Sequence, residues 1–159
     1  MNKMLCSVAL LGGVVVSAPA LAEVPYPEGY RDWRHVKSMV INPGHALYDA
    51  FGGIHHLYAN ELALKGYYAE GAFPDGSVIA FDLLEATTAD DAVHEGARKV
   101  LGVMHKDAKR YADTGGWGFE GFAEGDPGKP VVGAEAATAC YDCHTSQAST
   151  DYVFSKPRD

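Results

Sequence analysis

Near the C-terminus two cysteines and a histidine stand as Cys140-Tyr141-Asp142-Cys143-His144. Two thiols at this spacing can each add across a vinyl group of a porphyrin. The histidine that directly follows the second thiol then lies under the iron as proximal ligand. The spacing therefore predicts one covalently attached haem c, held through Cys140 and Cys143 with His144 on the metal. The other chemistries open to paired thiols are a disulfide and half of a zinc site. A structural zinc site wants two further ligands at matched spacing, usually a second Cys/His pair, and none is evident.

The N-terminus points to the compartment. Met1-Asn2-Lys3 is a short basic start, residues 4–16 are an apolar run, and Ala20-Leu21-Ala22 is a small-residue cleavage site. This pattern is that of a secretory signal peptide over residues 1–22, with an apolar run too short to span a membrane. Cleavage after Ala22 leaves residues 23–159 as a single c-type haem domain and removes Cys6, so the remaining cysteines are those of the motif. A bacterial periplasm is the expected location, because c-type haem is attached there. The formal charge of −8 becomes one unit more negative with the loss of Lys3. Such a surface argues against nucleic acid or anionic lipid as partner and is compatible with a basic redox partner. The length suits one domain with one core.

The motif must be positioned by other elements. Residues 30–36 read as a short helix anchored by Trp33, 51–59 as a strand, and 60–70 as a helix. Pro74-Asp75-Gly76 is a turn signal followed by an apolar strand over 77–85. Residues 99–105 form a further strand, 106–113 a short helix closed by Gly115-Gly116, and 117–122 alternate large and small residues at strand period. The alanine-rich stretch 134–147 reads as a helix that carries the haem motif, and Arg98, Lys99, Lys109 and Arg110 as a solvated basic face. The sum is an α+β domain: an antiparallel sheet with short flanking helices and a C-terminal haem-bearing helix.

Small electron-transfer cytochromes place the haem motif near the N-terminus and supply a methionine downstream. Here residues 145–159 contain neither Met nor His. A second axial ligand would have to come from Met39, Met104, His35, His45, His55, His56, His94 or His105. The methionines sit in apolar stretches and read as core filler. His35, His45, His94 and His105 lie among polar neighbours and read as surface residues.

The ordered set Tyr30-Arg-Asp-Trp33, Phe51-Gly-Gly-Ile-His-His-Leu-Tyr-Ala-Asn60, Pro74-Asp-Gly76, Lys106-Asp107, Thr114-Gly-Gly-Trp-Gly-Phe119, Cys140 to His144 and Asp151-Tyr-Val-Phe154 resembles the cytochrome P-460 and cytochrome c′-beta superfamily. The resemblance spans residues 30–154. It implies a β-sheet domain, a homodimer and a five-coordinate haem. Members that oxidise hydroxylamine carry a lysine, cross-linked to the porphyrin, on the strand after P-D-G; the matching position here is Phe81, which has no amine. The chain therefore looks like the c′-beta branch, whose members cap the open iron face with phenylalanines and bind nitric oxide.

On that reading Phe51, Phe81 and His55 line the distal pocket. Strand alternation puts Phe81 with Ile79 and Leu83, and Phe51 with Gly53, His55 and Leu57. Such a pocket would be dry and crowded, open to a small uncharged diatomic such as nitric oxide or carbon monoxide. Three functions follow: gas binding for scavenging, transport or sensing; oxidation of hydroxylamine or a related nitrogen compound; and electron transfer through a six-coordinate haem.

Overall fold

Five strands form one antiparallel sheet in which spatial order follows chain order: β1 (Arg34–Ile41), β2 (Gly53–Ala59), β3 (Val78–Ala89), β4 (Ala92–Lys106) and β5 (Trp117–Ala123). The computed structural model describes residues 24–69 and 73–158, so the signal peptide expected over 1–22 lies outside the described residues. Helices α1 (Tyr48–Phe51) and α2 (Glu61–Tyr68) flank the sheet, and a C-terminal helical segment carries the cysteines. The expected α+β architecture is the one observed. No helix among the described residues is long and apolar enough to cross a membrane.

Register sorts the side chains into two faces. Ala59, Ile79, Met104 and Phe119 form one row across β2 to β5; Leu57, Phe81, Gly102 and Gly121 form the next; His55, Leu83, Val100 and Ala123 the third. These rows share a face, because directly paired residues project to the same side. A buried cluster on this face unites Val36, Leu57, Ile79, Trp117 and Phe119 with Ala63 of α2, Phe73 and Val153. The opposite face buries Val24, Tyr30, Ala80, Leu101, Val103, Tyr111 and Phe122.

Helix α2 starts where the sequence suggests, because Asn60 is a true N-cap whose Oδ1 accepts from Ala63 N at 2.8 Å. The same Oδ1 accepts from Val78 N at 3.1 Å and ties the helix to β3. Elsewhere the elements differ from expectation. The helix predicted over 30–36 is a single 3-10 turn, Tyr30–Asp32, and the chain then turns into β1. Tyr30 is the buried anchor and Trp33 only half-buried. The helix predicted over 106–113 reduces to a 3-10 turn at Ala112–Thr114. β3 and β4 run past their predicted ends to a two-residue turn at Asp90 and Asp91, with φ of 52° and 58°. Positive φ at both positions gives the turn twist that matches a right-handed hairpin. Residues 86–95 are exposed, so this extension carries no apolar periodicity to read.

Arg98 is not part of a solvated face. Its Nε and Nη2 donate to both oxygens of Asp82, at 2.5 and 3.1 Å, and Tyr30 Oη donates to the same carboxylate at 2.7 Å. Asp82 is 2 % exposed in the middle of β3, so its charge must be matched inside the fold. Replacing Arg98 by methionine should therefore destabilise the protein by about 3 kcal/mol, measured by urea unfolding. A change under about 0.5 kcal/mol, the range of an ordinary surface substitution, would contradict this role.

Candidate functional site

The C-terminal segment is a succession of short helical pieces: a 3-10 turn Gly133–Glu135, a π turn Ala137–Tyr141, the α turn α3 (Asp142–His144) and a 3-10 stretch Thr145–Thr150. Helical spacing of three residues keeps Cys140 and Cys143 on one side of it. Both thiols are free, Cys140 half-buried and Cys143 exposed. Burial pushes the Cys140 thiol above its ordinary value.

His144 Nδ1 lies 2.6 Å from the main-chain carbonyl of Tyr152. A carbonyl only accepts, so Nδ1 carries the ring proton and Nε2 keeps a lone pair. No hydrogen bond to Nε2 is found among the described residues. Burial lowers the affinity of His144 for a second proton, against the opposing pull of the Tyr152 carbonyl. Two rings fix the imidazole plane: Phe119 at 4.9 Å between centroids and Phe154 at 5.0 Å. A neutral imidazole oriented by an outer hydrogen bond, with its other nitrogen free, is the usual state of a metal-ligating histidine.

Phe119 is on β5, and the face it occupies also carries Phe81 on β3, two strand spacings or roughly 10 Å away. Next to Phe81 in its row stands Gly102, whose missing side chain leaves room for the Phe81 ring; Gly121, further along the row on β5, is buried under Val100, Val131 and Val132. A Cβ added at Gly102 would sit 3.2 Å from Phe81 Cδ1. Phe81 meets Phe51 edge to face at 6.0 Å and the His55 ring at 4.7 Å. Phe51, Phe81 and His55 are thus brought together, on the face that also holds the contact of His144 with Phe119.

Phe51 does not belong to β2 as the alternation suggested; it ends α1, and β2 starts at Gly53. The break is enforced at Gly53, with φ of 132°, where a Cβ would lie 2.1 Å from the Leu84 carbonyl oxygen. Two side chains hold the turn that presents Phe51. His55 Nε2 donates to the Phe51 carbonyl at 2.5 Å, and Lys99 Nζ donates to the Gly52 carbonyl at 2.8 Å. Lys99 is exposed, as expected of a solvated face, and its ammonium also tethers this turn. His55 is 1 % exposed and its Nδ1 has no hydrogen-bond partner among the described residues. Burial depresses its basicity, the Phe51 carbonyl opposes this, and the Lys99 charge adds to the depression.

The other axial-ligand candidates are dispersed. Met39 is exposed on β1. Met104 pairs in register with Phe119 and packs against the core on the side of the His144 contact, away from Phe51. His56 is bound by Ser38 Oγ at 2.6 Å and Glu95 Oε1 at 2.6 Å, and His35 by Ser38 at 2.9 Å. His45 accepts from Leu47 N at 3.1 Å, His94 is exposed on the hairpin, and His105 lies against Tyr111. Tyr152 has no role that its side chain could signal in the sequence, because its contribution is a main-chain carbonyl. The only signal for it was the run Asp151-Tyr-Val-Phe154 within the family-like set.

Compared with known proteins, residues 27–155 match the family model described as Cytochrome P460, most of the chain. No curated protein matches the chain. The fold, the free imidazole nitrogen and this match lead to one conclusion: the chain belongs to the cytochrome P460 family, a family of haem-binding cytochromes.

Proposed function

We propose that the protein is a periplasmic c-type cytochrome of the c′-beta kind that carries one haem and binds nitric oxide or a similarly small, uncharged gas. The residues present fit that group. Cys140 and Cys143 are free and on one side of a helical segment, and His144 offers a Nε2 with no hydrogen-bond partner among the described residues. Cys140 and Cys143 would hold the haem covalently and His144 would ligate its iron. When bound, the haem supplies an iron with one open coordination position for a diatomic ligand.

The observation that carries the gas-binding reading is the pair Phe51 and Phe81. Phe51 is 39 % exposed and Phe81 half-buried, so neither ring is a plain core residue. Both are apolar, neither can ligate iron, and together they leave a dry, crowded approach. Such an approach admits a diatomic gas and penalises anions and larger substrates, which need room and lose hydration. The exposed Met39 and Val40 on the edge strand β1 support a homodimer, since a second copy would cover apolar surface left open here.

One observation favours a second reading, oxidation of hydroxylamine or a related nitrogen compound. His55 Nδ1 is a buried acceptor without a donor beside Phe81. A ligand bearing N–H or O–H would satisfy it, and nitric oxide would not.

Three measurements test these statements. Mass spectrometry of the denatured holoprotein should retain one haem on the chain, and a tryptic haem peptide should contain only the Cys140 to His144 region. A second peptide joined to the same porphyrin would restore hydroxylamine oxidation to first place. Stopped-flow association should be faster in Phe51→Ala and Phe81→Ala, with a larger gain for carbon monoxide, because the strong bond of nitric oxide to ferrous iron already tolerates crowding. Both rings are partly exposed, so each truncation should cost less than the roughly 3–5 kcal/mol of a core phenylalanine. Unchanged carbon monoxide rates in folded variants would show that neither ring guards the iron. The third concerns His55, whose depressed basicity gives stability that is full above the ordinary value of 6.5 and is lost as the pH falls below it. The urea midpoint should drop between about pH 8 and about pH 5 more steeply in wild type than in His55→Gln; equal slopes would contradict the burial of a neutral His55.

A further inference from the structure

We propose that Lys106, Asp151 and Trp117 are positioning residues that latch the Tyr152 carbonyl against His144 and so set how strongly the imidazole donates to its metal. The inference rests on the reading of His144 as iron ligand. It gives a common role to three runs of the family-like set that the gas-binding reading leaves unused, Lys106-Asp107, Thr114 to Phe119 and Asp151 to Phe154.

The carbonyl in question sits on an unusual piece of backbone. Asp151 and Tyr152 both have positive φ, 51° and 66°, in succession. For residues with a side chain this left-handed region is sterically disfavoured, and it persists where the surroundings over-determine it. Here the surroundings converge on Asp151. Its Oδ1 accepts from Lys106 Nζ at 2.7 Å, its Oδ2 from Phe73 N at 3.2 Å, and its main-chain carbonyl from Trp117 Nε1 at 2.8 Å. Lys106 is 8 % exposed, donates also to the Gly115 carbonyl at 3.1 Å, and lies 5.1 Å from the Trp117 ring centroid. The end of β4, the start of β5 and the segment before β3 are thus tied to the residue next to the His144 acceptor.

A buried Lys–Asp pair is a poor way to gain stability, since apolar side chains of similar volume often do as well. What the pair provides is direction. With Asp151 fixed on both its carboxylate and its carbonyl, the 151–152 peptide is held, and Val153 N, which donates to the Thr150 carbonyl at 3.2 Å, completes the hold on the peptide that carries the Tyr152 oxygen. A held acceptor draws the Nδ1 proton and makes the imidazole a better donor through Nε2; a loosened acceptor does the reverse.

The test uses the holoprotein and the variants Lys106→Met, Asp151→Asn and Trp117→Phe. The expected result is a lower iron–histidine stretching frequency by resonance Raman, a more positive reduction potential, and faster exchange of the His144 Nδ1 proton by NMR, as expected on losing an outer-shell partner. Lys106→Arg, which keeps the cation, should return all three toward wild type. Trp117→Phe changes no charge, so a shift in it cannot come from the local field. That variant removes one N–H and keeps an aromatic ring in place, so it decides the matter if the charge variants fail to fold. Wild-type values in the folded variants would overturn the latch. The underlying reading is separated by His144→Ala: an unchanged haem spectrum there overturns the ligand assignment itself, whereas a changed spectrum with silent latch variants overturns only the latch.

Discussion

A carbonyl oxygen has lone pairs and no proton, and that one-sidedness organises the C-terminal half of the molecule. Because Tyr152 can only accept, His144 is held as the tautomer with a proton on Nδ1 and a free pair on Nε2. Phe119 and Phe154 stop the ring from turning about that bond. The sheet supplies the first of these rings from β5, and the segment that follows the helix supplies the second. The helical pieces around Cys140 and Cys143 thus dock on the sheet through an oriented imidazole and the apolar contacts around it, with hydrogen bonds from Lys106 and Trp117 to Asp151 at one end and from Val132 and Gly133 to Glu120 at the other.

The opposite end of the same face is built on different physics. The cluster of Phe51, Phe81 and His55 has edge-to-face ring contacts and one buried nitrogen with no partner among the described residues. Its position depends on the turn that ends at Gly53, where β2 begins, and on two tethers, from His55 and Lys99, to consecutive carbonyls of that turn. A strand running straight through Phe51 would have placed the ring within the pleat; the turn lets it stand over Phe81. In the proposed function the polar groups therefore position the apolar cap and leave its interior dry.

The parts of this arrangement that follow local rules could be read from the sequence. The Cys-x-x-Cys-His spacing, the Pro74-Asp-Gly76 turn and the alternation in β5 all express preferences of a few neighbouring residues. Other parts depend on partners distant in the chain. β1 was hidden because its burial is irregular, with a bulge between His35 and Lys37 and an exposed edge. The hairpin beyond Glu85 was hidden because it projects into solvent. Arg98, Lys99 and Lys106 sit among polar neighbours in sequence, yet each side chain ends on a specific acceptor elsewhere. The carbonyl of Tyr152 has no signature in a side-chain alphabet.

The central claim is an iron held by His144 alone, with its other face guarded by phenylalanines and open to gas. The absorption spectra of the oxidised and reduced holoprotein, recorded with and without nitric oxide, test it most directly. A five-coordinate haem predicts a high-spin spectrum that changes on adding nitric oxide. A low-spin spectrum indifferent to the gas would contradict the claim and show that a second side chain occupies the iron.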